Sequence, residues 1–157
     1  MRGLTRLAAI PELAVLLFAF LIHLVWEFLQ VPAFAGLASA PHWASTVRCL
    51  KAAAGDAAIA AAAYMATSIV LRRRAWLRHF GASAVLVFMA VGLVAAISLE
   101  WINVEVLRRW SYAEWHPRLP LLGTGLAVVL QWIVVPPIAL WLAHMHVVGA
   151  SHAAGQK

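Results

Sequence analysis

The sequence predicts an all-α integral membrane protein, a bundle of four transmembrane helices. Its 157 residues are 64% hydrophobic and only 11% charged, whereas soluble domains carry about 25% charged residues. The mean hydropathy is +0.87. A soluble domain of this size has too little interior to bury so much apolar surface, because much of a small domain faces water. Lipid is therefore the expected solvent for most of these side chains.

Four apolar runs are each long enough to cross the hydrocarbon core of a bilayer, which takes about 20 residues of helix. They cover residues 12–31, 52–71, 80–102 and 119–143. The second run is rich in small residues (GDAAIAAAAYMATS), which let helices approach closely in lipid. Short loops join the runs, so we expect one transmembrane domain over residues 1–157.

The first run is expected to remain in the protein as a span. Arg2 and Arg6 give it a basic start, and small residues at 33–40 resemble a cleavage site for a signal peptide. The apolar stretch is long, however, and Trp26 and Glu27 interrupt the region before the cut. These features favour a retained helix.

The positions of Lys and Arg predict that both termini are cytoplasmic in a cell's inner membrane, because cytoplasmic loops are enriched in these residues. Seven basic residues then lie inside and five outside, with the RRRAWLRH loop as the strongest local signal. The net charge of +6 is divided among short clusters that flank apolar runs. No nucleic-acid-binding motif accompanies them, so nucleic acid is not an expected partner.

Three polar side chains interrupt the first span in the stretch HLVWEFLQ. At 100° per residue, His23, Glu27 and Gln30 fall within about 60° of one another on one helix face. An ionisable group at the bilayer centre costs at least about 2.5–3.5 kcal/mol, so such groups usually face a bundle interior. This face is therefore expected to point toward the other helices.

Polar residues of the other spans fall at a comparable predicted depth, in the outer half of the bilayer. They are Asp56 in the second span, Glu100 and Asn103 at the outer end of the third, and Gln131 in the fourth. Two interpretations stay open, a hydrogen-bonded network that only holds the helices together and a functional site. Two acids and an imidazole are more than adhesion needs, so a functional site is favoured.

Two details of the spans lead to separate expectations. Asp56 follows Gly55 near the expected start of the second span, where it either caps the helix or joins the site, and capping is favoured. The pair Pro136-Pro137 is expected to kink the fourth span, with Gln131 forming the floor of a pocket.

The predicted outer loops carry aromatic residues that are expected to anchor at the membrane–water boundary. The alternative is a lid over the polar pocket, to which His42 or His116 would contribute. His144, His146 and His152 lie near the predicted inner end, where an interfacial position is favoured over a metal site.

The spacing of these residues resembles that of an uncharacterised family of short, four-span bacterial membrane proteins. The likeness rests on H-x-x-W-E-x-x-Q ending at Gln30, the His42-Trp43 pair and C-x-x-A-x-x-G-D ending at Asp56. It continues through W-x-Y ending at Tyr112 and G-x-G-L followed by Q-W, ending at Trp132. The resemblance covers most of the chain and implies no activity.

The stretch His23-Leu24-Val25-Trp26-Glu27 is similar to the H-L-V-x-E of the emopamil-binding, or EXPERA, sterol-isomerase-like proteins. Glu100 and Gln131-Trp132 with Pro136 occupy comparable places, although Gln131 stands where that family has asparagine and the loops differ. The resemblance implies proton transfer to and from a double bond of a hydrophobic polycyclic or isoprenoid ligand.

The favoured hypothesis is a protein that binds, or converts by acid/base chemistry, a membrane lipid or another hydrophobic small molecule, with no cofactor. The expected catalytic residues are Glu27 as acid, His23 as base or orienting partner and Glu100 as a stabiliser of positive charge. The expected ligand-binding residues are Trp26, Gln30, His42, Asp56, Trp101, Asn103, Tyr112 and Gln131.

Three other functions stay open. A divalent metal could bind His23 and Glu27, which are spaced to share one ion, with His42, Asp56 or Glu100 completing the shell. Buried acids also suit a proton-coupled carrier, which with four spans would need to form a homo-oligomer. The third alternative is an accessory subunit whose polar residues hold a membrane complex together.

Overall fold

The computed structural model describes residues 10–120 and 122–155, which form four long helices and no β-strand. The helices are α1 (Pro11–Leu29), α2 (His42–Val70), α3 (Ala82–Trp101) and α4 (Leu126–Gly155). A π-helical turn, Ile102–Val106, continues α3. All four helices are long and apolar enough to cross a membrane. The predicted all-α architecture with four candidate spans is confirmed.

Local sequence explains where the helices begin. Pro11 opens α1, where its missing N–H costs nothing, and Glu12 in the same turn favours the positive end of the helix dipole. Pro41 directly precedes α2. Before α4, Gly123 has φ +66°, a left-handed conformation that a right-handed helix does not contain. α4 therefore begins only after this residue.

Two of the helices differ in extent from the apolar runs predicted as spans. α2 begins at His42, ten residues before the apolar run, because its first turns (HWASTVRCLK) are helical although they carry charge. α4 begins at Leu126, seven residues later than predicted, and continues to Gly155. Pro136 and Pro137 both lie inside a continuous α4.

The four helices pack as a ring in which α1 and α3 each contact both α2 and α4. Small residues make the approach to α2 close, since Ala53, Ala57 and Ala60 are almost completely buried. Two 3₁₀ turns, Val31–Ala33 and Trp76–His79, lie in the connections between helices. We refer to the bundle end with the α1–α2 and α3–α4 connections as the α1–α2 end, and to the opposite end as the α2–α3 end.

The α2–α3 end is closed by an aromatic cluster and by bonds to the short connecting loop. Trp76 stacks on Tyr64, with ring centroids 4.9 Å apart. The Tyr64 hydroxyl donates to the Arg74 carbonyl oxygen at 2.5 Å, and Arg74 Nε donates to Glu12 Oε1 at 2.6 Å. His144 Nδ1 lies 2.7 Å from the Leu77 carbonyl oxygen. These contacts tie the loop to α1, α2 and α4.

The two connections at the α1–α2 end are joined by backbone hydrogen bonds. Ala35 N donates to Ser111 O, and Ala113 N donates to Ala33 O, each at 2.9 Å. An isolated β-bridge pairs Phe34 with Tyr112. The α3–α4 connection is thereby held over the end of α1, which positions the residues that reach down into the bundle.

Gly92 of α3 is the point of closest approach to α4. A Cβ atom there would lie within 3.0 Å of two ring carbons of Trp132, whose side chain is fully buried. Glycine therefore lets α3 pack directly on the indole ring. This contact holds the ring in the bundle centre, beside the polar residues of α1 and α2.

We predict that Gly92→Ala destabilises the protein by about 1–3 kcal/mol, because the added methyl group overpacks a rigid aromatic contact. The loss should outweigh the roughly 0.5–1 kcal/mol that alanine gains over glycine inside a helix. The measurement is reversible unfolding in detergent. Gly149→Ala is the matched control, since a Cβ at Gly149 meets nothing within 4 Å. Equal stability of the two variants would contradict this packing.

Candidate functional site

Gln131 connects three helices through one side-chain amide. It lies in the second turn of α4 and is 2% exposed. Its Nε2 atom lies 2.8 Å from His23 Nδ1, 2.9 Å from Asp56 Oδ2 and 3.1 Å from Glu27 Oε1. Since His23 and Glu27 belong to α1 and Asp56 to α2, polar groups from three helices meet at one depth.

This cluster has more hydrogen-bond acceptors than donors. The amide nitrogen carries two hydrogens but has three acceptors around it, so it cannot donate to all of them. His23 Nδ1 also lies 3.3 Å from Asp56 Oδ2 and can either donate to that carboxylate or accept from Gln131. His23 Nε2 is buried and has no partner among the described residues. The cluster therefore has acceptor capacity that the Gln131 amide alone does not satisfy.

Asp56 is held from the α4 side by a second donor. Trp132 Nε1 lies 3.3 Å from Asp56 Oδ1, and the Trp132 ring centroid lies 5.4 Å from that of His23. Asp56 is the fifteenth residue of α2. The favoured prediction that it caps the helix is wrong, because α2 begins at His42. The alternative role in the polar cluster agrees with these contacts.

A chain of side-chain hydrogen bonds runs along the buried face of α1. Trp26 Nε1 donates to Gln30 Oε1 at 3.0 Å, and Gln30 Nε2 donates to Glu27 Oε1 at 2.7 Å. His23, Glu27 and Gln30 are all buried. The predicted polar face of the first span is thus directed into the bundle. Glu27 Oε1 accepts from both Gln30 and Gln131, which orients the carboxyl group.

Glu100 forms a second acidic position at the end of α3. Its Oε1 accepts from Trp110 Nε1 at 3.0 Å and from the Tyr112 hydroxyl. Burial, followed by the nearby Glu100 carboxylate, raises the pKa of Tyr112, so the phenol stays a donor. Both donors come from the α3–α4 connection. That connection therefore fixes the orientation of Glu100.

A cavity of about 710 Å³ lies between these two positions and is partly open to the protein surface. Its polar lining combines the carboxyl groups of Glu27, Asp56 and Glu100 with the amides of Gln30, Asn103 and Gln131. Most of the remaining wall is apolar, with Phe34, Leu37, Ala52, Ala58, Ile59, Ala62, Ala96, Leu99 and Val128. The volume is in the range of small-molecule sites, which are mostly apolar with a few placed polar groups.

Six predicted site residues line this cavity: Glu27, Gln30, Asp56, Glu100, Asn103 and Gln131. His23 lies behind the lining, fully buried, and Tyr112 reaches the site only through Glu100. Trp26 faces a different groove. His42 and Trp101 are exposed and are not among the lining residues. The structure therefore does not bring those two residues to the cavity.

Several lining residues were not predicted from the sequence, namely Arg48, Cys49, Lys51, Arg109 and Trp110. The sequence pattern indicates topology signals for the basic residues, and an interfacial anchor or part of a lid over the pocket for Trp110. The spacing of Arg48, Lys51 and Gly55 places them within about 60° of one another on one face of a helix. A span that begins at residue 52 leaves Arg48 and Lys51 outside the expected helix.

A second, mostly apolar groove of about 410 Å³ lies beside the first at the α1–α2 end. Trp26, Trp115, His116 and Leu130 are among its lining residues, and Gln30 lines both spaces. Burial, and then the positive charge of Arg118, lowers the pKa of His116. The imidazole of His116 is therefore neutral at pH 7, and its Nε2 can accept from Ala127 N at 3.4 Å.

No protein-family model, curated protein or solved structure matches the chain. The two sequence resemblances accordingly stay predictions. In the described part of the chain, no group of three or more His, Cys, Asp or Glu side chains is arranged to hold a metal ion. Within that part of the chain, the residues proposed as metal ligands therefore do not form a complete ligand set.

Proposed function

We propose that this protein binds a hydrophobic lipid or isoprenoid in the 710 Å³ cavity and transfers protons to and from it. The supporting observation is the pairing of an apolar wall with two carboxyl groups, Glu27 and Glu100, that come from different helices. A site of this composition suits a hydrophobic ligand that reacts at a carbon–carbon double bond. It is therefore isomerase-like in chemistry.

The hydrogen bonds of the two glutamates leave each a free oxygen. Oε1 of Glu27 accepts from two amides, and Oε1 of Glu100 accepts from Trp110 and Tyr112. No described residue hydrogen-bonds the Oε2 atom of either side chain. One oxygen of each group is thus anchored, and the other is free to exchange a proton with a ligand.

The reaction assigned to this geometry is a shift of a double bond. Glu27, as the acid, donates a proton to one carbon of the double bond, which leaves a cation on the ligand. The Glu100 carboxylate stabilises that cation, and loss of a proton from a neighbouring carbon to a cavity carboxylate restores neutrality. Trp110, which lines the cavity, takes the supporting aromatic role that Trp26 and Trp101 cannot take from their positions.

His23 has a positioning role in this proposal. It is fully buried behind the lining and touches Gln131 and Asp56 rather than the cavity. Direct proton exchange between its imidazole and a ligand is therefore not part of the proposed reaction. It sets the hydrogen bonds of the amide that orients Glu27.

The proposed location is the cell's inner membrane, with both termini cytoplasmic. The basis is the RRRAWLRH loop at the α2–α3 end, since cytoplasmic loops are enriched in Lys and Arg. The cavity then lies in the outer half of the bilayer. A ligand would enter it sideways from the lipid or from the outer surface.

We predict that Gly55→Leu removes a co-purifying hydrophobic molecule from the protein. Gly55 lines the cavity, and a Cβ there meets nothing within 4 Å, so the new side chain projects into open space without a clash. The measurement is native mass spectrometry with quantitative lipid extraction. Occupancy should fall at least about fivefold, because the leucine takes volume needed by the ligand.

Gly149→Leu is the matched control for that experiment. It makes the same change in α4, also with open space around the Cβ atom, but away from the cavity. Both variants replace glycine by a better helix former and should fold. Unchanged occupancy in Gly55→Leu, or no bound hydrophobic molecule in the unaltered protein, would overturn the proposed binding function.

We further predict that the extracted ligand gains deuterium when the protein is incubated in D₂O. Proton exchange through Glu27 would place solvent deuterium on carbon, which mass spectrometry detects. Glu27→Gln should lower the incorporation at least about 100-fold, since general acid–base groups contribute roughly 10²–10⁴-fold. The glutamine oxygen can still accept from Gln30 and Gln131. Incorporation at the unaltered rate in this variant would exclude Glu27 as the acid.

A further inference from the structure

Three cationic side chains line the cavity in addition to its acidic groups. Arg48 and Lys51 project from the first half of α2, and Arg109 comes from the α3–α4 connection. All three are exposed, whereas Glu27 and Glu100 are buried. The cavity thus has a basic rim, defined by Arg48, Lys51 and Arg109, above an acidic and apolar interior.

The basic rim has no acidic partner in the described part of the chain. The ion pairs found there are His23 with Asp56 and Arg74 with Glu12, so no rim residue has a carboxylate oxygen within 4.0 Å. Like charges brought together without a counter-ion repel one another. The rim therefore offers guanidinium and ammonium donors that an anionic ligand can use.

Contacts within the protein hold the two arginines of the rim in place. Arg109 Nη1 donates to Asn103 Oδ1 at 3.0 Å, and Arg109 N donates to Asn103 O at 2.9 Å. Arg48 Nη2 lies 3.5 Å from the Arg109 carbonyl oxygen. Arg108 takes a left-handed conformation, φ +49°, in the turn that leads to Arg109. The connection is therefore wound so that Arg109 meets α2.

Trp110 joins the rim to the interior. The guanidinium carbon of Arg48 lies 5.8 Å from the centroid of its ring, and its indole N–H donates to Glu100 at 3.0 Å. The same side chain thus contacts a rim cation and a cavity acid. A ligand held at the rim would extend past Trp110 toward Glu100.

We propose that the ligand is an anionic amphiphile whose phosphate or diphosphate ester binds the basic rim while its apolar chain fills the cavity. This inference rests on the proposed function and names the substrate class. Arginine forks match phosphate oxygens in pairs, and such charge-assisted bonds are stronger than neutral ones. The acids of the interior would repel a small free anion, and the apolar wall favours a chain there. The headgroup consequently fixes which carbons reach Glu27 and Glu100.

The test uses the full chain in phosphatidylcholine nanodiscs, with empty nanodiscs subtracted. Equilibrium binding is measured for farnesyl diphosphate, farnesol and inorganic pyrophosphate, and phosphatidic acid is added as a competitor. Farnesyl diphosphate should bind at least about tenfold more tightly than farnesol, because only it can form charge-assisted bonds with the rim. Displacement by phosphatidic acid identifies a lipid headgroup as a source of the same phosphate chemistry.

Arg48→Gln and Arg109→Gln should each weaken binding of farnesyl diphosphate about tenfold and leave farnesol unchanged. Arg108→Gln is the matched control, because it removes a positive charge from the same loop at a residue that does not line the cavity. Its affinity should stay within about threefold of the unaltered protein, because a solvent-exposed charge away from the site contributes less than about 1 kcal/mol.

Three binding patterns would overturn the inference. They are equal affinity for farnesol and farnesyl diphosphate, equal losses in the Arg48→Gln and Arg108→Gln variants, and pyrophosphate that binds as tightly as farnesyl diphosphate. Farnesol binding that Gly55→Leu abolishes would show that the proposed cavity function stands although the rim does not select phosphate. Absence of binding by every probe would overturn the rim proposal. The proposed binding function of the cavity is tested separately, by the co-purification experiment.

Discussion

The side-chain amide of Gln131 donates into a group of acceptors that belong to α1 and α2, and this polar contact sets the register of the bundle. Carboxyl and imidazole groups are costly in hydrocarbon, so each helix must turn its polar residues toward the others. Because one amide lies within hydrogen-bond distance of His23, Glu27 and Asp56, α1, α2 and α4 must place their polar residues at the same depth. The rest of the site is built around that depth.

Packing on either side follows from the same requirement. Gly92 lets α3 close on Trp132, whose indole N–H reaches Asp56. The small residues of α2 allow α1 to come close on one side, and Ala52, Ala58 and Ala62 of α2 line the cavity on the other. The α3–α4 connection supplies the donors to Glu100. The result is a cavity with acids inside and cations at its rim, which gives the proposed ligand a defined orientation.

The all-α class, the four candidate spans and the convergence of polar residues could be predicted, because hydropathy and helix periodicity depend on local sequence. The start of α2 could not, since a hydropathy window rejects a turn with Arg48 and Lys51 although Pro41 precedes a good helix. Because the helix was expected to begin near residue 52, Asp56 was interpreted as its cap. The contacts of Trp110 and Arg109 depend on how residues 107–125 fold back over the bundle. That path is set by tertiary hydrogen bonds, which no local pattern encodes.

The most direct test of the central contact is a double-mutant cycle between Gln131→Leu and Asp56→Leu, measured by equilibrium unfolding in detergent. If the amide and the carboxylate interact as described, the two changes are non-additive, with a coupling energy of about 0.6–1.7 kcal/mol as found for polar contacts between membrane helices. Additive effects, with coupling below about 0.3 kcal/mol, would contradict the account. They would show that these helices do not meet through this pair.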